Sequence, residues 1–152
     1  MANRSKTIGL GVYLTISALA FLAATLVTDV VARMSFSTAS LPHAIGDHFK
    51  YAGFSHSIMM LIPFAAISLI CARLEKFSKT RSSLAIFSIS VAALVYFYAS
   101  GFWSAQSALQ QERWTASSLS VGILPFIGFG VAFVTICLAA LASQLDRRER
   151  DG

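Results

Sequence analysis

His43, His48 and His56, the chain's three histidines, fall within fourteen residues of one another, and Asp47 lies among them. Imidazole and carboxylate groups are ligands for zinc and other transition metals, and imidazole also changes charge near neutral pH. The pattern raises a divalent metal ion or proton site, with His48, His56 and Asp47 as the residues that would carry it.

Local geometry limits that reading. Ser40 is placed to cap a helix, and residues 41 to 52 fit an amphipathic one, with Leu41, Ala44, Ile45, Phe49 and Ala52 on its apolar face. At about 100° per residue His48 joins this face, whereas His43, Asp47 and Lys50 point away from it. His43 and His48 then stand about 140° apart and cannot chelate one ion within a single helix. His56 reaches His48 only if the chain bends at Gly53, because eight residues of continuous helix separate two side chains by about 12 Å.

Two other groups of residues carry polar chemistry. Asp29 follows an apolar run and Arg33 stands one turn beyond it, the spacing of an interfacial ion pair. A proton relay would need Asp29 deep in the membrane, and its place after the run argues against that. Trp103 and Trp114 bracket Gln106, Gln110, Gln111, Glu112 and Arg113. Tryptophans so placed suit the aromatic belt at a membrane surface, and beside an arginine they also suit a docking surface. The chain has no Walker phosphate loop, no Gly-x-Ser-x-Gly elbow and no His-Glu-x-x-His motif, so no enzyme class is indicated and no cofactor beyond the alternative metal.

The elements that must position these residues follow from the charge pattern. All nineteen charged side chains occupy five islands, leaving residues 7 to 28, 51 to 72, 82 to 111 and 114 to 145 free of charge. Each stretch is long enough to cross about 30 Å of hydrocarbon as a helix. With 56% hydrophobic and 12% charged residues, the composition is far from the roughly 25% charged expected of a soluble domain. The expectation is an all-α integral membrane domain, an antiparallel four-helix bundle with spans near 8–28, 54–72, 83–103 and 119–142 and outer loops 29–53 and 104–118. Residues 8–28 exceed the length of a signal-peptide core, about 7 to 15 residues, so a retained span is expected there.

Placement of basic residues sets the orientation. Arg4, Lys6, Arg73, Lys76, Lys79, Arg81, Arg147, Arg148 and Arg150 share one side of such a bundle, against Arg33, Lys50 and Arg113 on the other. The positive-inside rule places both termini in the cytoplasm and explains the net charge of +5 without nucleic acid. Small residues four apart mark faces for close packing: Ala20, Ala24 and Thr28; Ser68 and Ala72; Ser88 and Ala92; Gly128 and Ala132; Thr135, Ala139 and Ser143. Span three is the most polar and is expected to be the most enclosed, and Pro63 and Pro125 are expected to kink their helices.

By exclusion, the sequence points to a non-catalytic accessory, assembly or interaction subunit whose partners are the lipid bilayer and a membrane protein or further copies of itself. The alternative is a small transport or redox component using the His48, His56 and Asp47 site at the outer face. A bacterial inner membrane suits the compact chain and its charge bias.

Overall fold

The computed structural model describes residues 8–77 and 80–151. Its elements are α1 (Leu10–Leu22), a π-helical turn (Ala23–Val27), α2 (Thr28–Phe36), α3 (Leu41–Ala52), α4 (Phe54–Leu74), α5 (Thr80–Gln110), α6 (Trp114–Gly122) and α7 (Leu124–Asp151). Helix is the only regular structure among the described residues. Four helical segments are long and apolar enough to cross a membrane: Leu10–Phe36, Ser55–Leu74, Arg81–Gln110 and Trp114–Asp146. They are called spans one to four below.

Spans one and three run well past the ends read from sequence, to Phe36 and Gln110. Continuing the helix satisfies backbone N–H and C=O groups that a loop would leave open near lipid. Residues 104–110, expected in a loop, are therefore helical, and a short turn carrying Glu112 at φ 59° joins α5 to α6.

Span two packs against spans one, three and four, and span three against the other three, whereas spans one and four share no extensive contact. Tyr13, Met60, Phe64, Ile67, Phe87, Leu94 and Tyr98 form the centre of the core. Edge-to-face ring pairs Tyr13–Phe87, Phe21–Phe64 and Phe64–Tyr98 knit it together. Large apolar side chains also cover the outside, among them Leu19, Ile89, Phe126 and Phe133. So much exposed apolar surface suits lipid and not water.

Span two, not span three, is the most enclosed: 39% of its apolar window is buried, against 28% for span three. The polarity of span three is one-sided. Ser83, Ser90 and Tyr98 face inward, while Ser88, Tyr96 and Ser100 are exposed. The inward hydroxyls cross-link helices: Ser83 donates to the Cys71 carbonyl at 2.6 Å, Thr135 and Ser90 meet at 2.7 Å, and Tyr98 donates to the Met60 carbonyl at 3.2 Å. Ser68 and Ser17 add a 2.7 Å bond between spans one and two. Of the small residues expected at packing faces, Ala24, Ser68, Ala132, Thr135 and Ala139 are buried, but Ser88 and Ala92 are exposed.

The two prolines act differently. Pro63 sits fully buried inside the unbroken α4, and a side chain added at Gly128 would collide with its ring and with the Tyr98 hydroxyl. Glycine there lets α7 approach α4 closely. Pro125 lies beside an interruption of span four, where α6 ends at Gly122 and α7 begins at Leu124. Its missing N–H cannot continue the ladder to the residue four before it. Cys71 and Cys137 are both free thiols.

Candidate functional site

The site begins with a change of helical phase. Along α1 the inward stripe runs Tyr13, Ser17, Ala20, Ala24, the three-and-four spacing of a regular helix. Unbroken, it would continue to positions 27 or 28 and 31, yet Val27 and Val31 are exposed. The π turn at Ala23–Val27 carries one more residue per turn and moves the stripe to Thr25, Asp29 and Ala32, all buried. Threonines support the wide turn: Thr25 donates to the Phe21 carbonyl at 2.8 Å, and Thr28 to the Ala23 carbonyl, five residues back, at 3.0 Å. Asp29 thereby enters the interior at 2% exposure.

Three partners from three elements converge on its carboxylate. Arg33 of α2 donates through Nε to Oδ2 at 2.9 Å, the spacing expected from sequence. His48 of α3 meets the same oxygen through Nδ1 at 2.9 Å. Gln106 of α5 donates through Nε2 to Oδ1 at 2.6 Å. A buried charge is tolerated only when paired and hydrogen-bonded, and this cluster supplies both.

The cluster also fixes the histidine tautomer. A carboxylate paired with arginine can only accept, so the neutral His48 ring carries its proton on Nδ1. Among the described residues the one buried side-chain nitrogen or oxygen without a partner is His56 Nε2. In that tautomer His48 Nε2 is an acceptor. Its ring helps to line a cavity of about 460 Å³ between α2, α3, α5 and α6, together with Asp29, Tyr51, Phe102, Trp114 and Ser117.

Helix α3 reaches this position by its narrowest edge. Ser40 occupies the N-cap position without making a side-chain cap bond, and Pro42 falls in the first turn. Ala44 and His48 are buried, His43 is exposed on another side, and Leu41, Ile45 and Phe49 of the expected apolar face are exposed as well. Ala44 is small enough for α3 to close on the spans, which leaves the bulkier apolar residues to a lipid interface. Arg33 also lies under the Tyr51 ring, 5.8 Å from its centroid.

The three residues expected to form a metal or proton site have different surroundings. His48 is bound to Asp29, and Asp47 approaches Arg33 Nη1 at 3.9 Å. The bend at Gly53 is present, with φ 66°, a backbone conformation suited to glycine. His56 follows it in α4. Among the described residues no three His, Cys, Asp or Glu side chains gather as a metal-binding group. Sequence reasoning missed Gln106 as a partner of Asp29; the i, i+4 pair of Asp29 and Arg33 was the one signal it offered. No family model, curated protein or solved structure matches the chain.

Proposed function

We propose that the chain is a non-catalytic accessory or assembly subunit of a larger membrane system, built as an antiparallel four-helix bundle with both termini in the cytoplasm of a bacterium and the Asp29 cluster at the outer face. The observation that carries this reading is the Asp29 cluster, which ties span one, α3 and span three together at one end. Such a buried network holds elements in a defined arrangement, as a subunit presenting a fixed surface requires. Phe49, Tyr51 and Trp114 are exposed at that end and supply aromatic contact groups. The excess of Lys and Arg near the termini and between spans two and three supports the orientation.

Gentle native purification followed by identification of co-purifying proteins tests the role. A stoichiometric membrane partner, or a stable assembly of copies, is the expected result. A lone monomer under conditions that preserve membrane complexes contradicts it. Reporter fusions at the C-terminus test the topology, with a cytoplasmic signal expected.

A further inference from the structure

The cavity beside His48 is the feature that the subunit reading leaves without a role. Its volume, about 460 Å³, lies in the range of small-molecule sites, about 300 to 1,000 Å³. Charge narrows the occupant. Asp29 and Arg33 neutralise each other at 2.9 Å, so the floor offers little net attraction to an ion. Asp47, near Arg33, further opposes an anion.

Hydrogen bonding narrows it more. With Nδ1–H on Asp29, the neutral His48 ring offers Nε2 as an acceptor and so matches a donor. Ser117 is a second polar point: it is buried at 8% exposure, lines the same cavity and has no hydrogen bond to its hydroxyl among the described residues. The lining between these points is largely aromatic and aliphatic, with Phe102 buried and Tyr51 and Trp114 towards the exposed side, and Arg33, Gln106 and Ser118 add polar groups to it. A flat, neutral ring bearing hydroxyl groups matches walls and polar points together. The cavity is also built from the ends of apolar spans, where an amphiphile dissolved in lipid arrives by lateral diffusion.

We propose that this cavity binds the hydroxylated aromatic head group of a membrane amphiphile, the quinol class, with one ring hydroxyl donating to His48 Nε2 and Ser117 contacting the ring's other polar edge. The binding is independent of whether the chain also has a protein partner.

The test is anaerobic titration calorimetry of the full chain in detergent micelles, with empty micelles subtracted. The probes are decylubiquinol, decylubiquinone, decanol and hydroquinone. Saturable binding of decylubiquinol at one site per chain is expected. Decylubiquinone, which has only acceptor oxygens, is expected to bind about tenfold more weakly, the cost of one unmade hydrogen bond at a buried acceptor. His48→Asn keeps an amide donor for Asp29 but removes Nε2, and should weaken decylubiquinol by about tenfold and decylubiquinone by clearly less. Ser117→Ala, which does not touch the Asp29 cluster, should weaken the quinol as well, so the proposal remains testable if His48→Asn fails to fold. No saturable binding, equal affinity for quinol and quinone, or indifference to both substitutions overturns it. Decanol binding as well as the quinol overturns the aromatic assignment, and hydroquinone doing so overturns the membrane source.

Discussion

Asp29 and Gln106, 77 residues apart in the chain, are joined by a 2.6 Å hydrogen bond in the interior. One belongs to α2 and the other to the last turns of α5, so a single carboxylate ties the end of span one to that of span three. Arg33 and His48 complete its coordination from α2 and α3.

Removing the carboxylate leaves Arg33, His48 and Gln106 without their common acceptor. Asp29→Ala is expected to destabilise the protein by about 3 kcal/mol, the low end for breaking a buried pair because the Arg33 side chain retains 16% exposure. Thermal unfolding in detergent measures this. A loss below about 1 kcal/mol would mean that the cluster is peripheral to the fold.

The π turn makes an unusual expectation about chain length. Deleting Val27, an exposed residue of the wide turn, lets span one run as a regular helix and still brings Asp29 to the inward stripe. The deletion should be tolerated, with native elution and melting. Inserting an alanine after Val27 rotates Asp29 away by a further 100° or so and should cost as much as Asp29→Ala.

Two glycines of α7 separate close packing from helix propensity. Gly128→Val meets the Pro63 ring and the Tyr98 hydroxyl and should destabilise by about 1–3 kcal/mol through overpacking. Gly130→Ala meets nothing within 4 Å, so it should be neutral or stabilise by up to about 1 kcal/mol. Melting of the two variants side by side checks the contrast.

The spans were legible in the sequence because lipid imposes a coarse rule, long stretches without charge, and each of the four long apolar helices overlaps one such stretch, although span one runs on past Asp29 and Arg33 to Phe36. Helix α3 was legible from its amphipathic spacing, although Leu41, Ile45 and Phe49 of the expected apolar face are exposed, and the bend at Gly53 entered only as the condition for His56 to reach His48. The burial of Asp29 was not, because it rests on one added residue in a helical turn, and a π turn has no marking in an Ala-Thr-Leu-Val segment. Gln106 was hidden for a related reason: it looked like part of a polar loop, and the helix continues past it to Gln110. The enclosure of span two over span three was missed because hydroxyl content reports which residues want partners, not how many neighbours a helix has.

The central claim is that Asp29 binds span one to span three, and a double-mutant cycle on Asp29→Ala and Gln106→Ala, read from unfolding in detergent, tests it most directly. Coupling of about 1 kcal/mol or more between residues so distant in sequence is the expected result. Additivity to within about 0.3–0.5 kcal/mol would show that the two side chains do not meet and would contradict the arrangement.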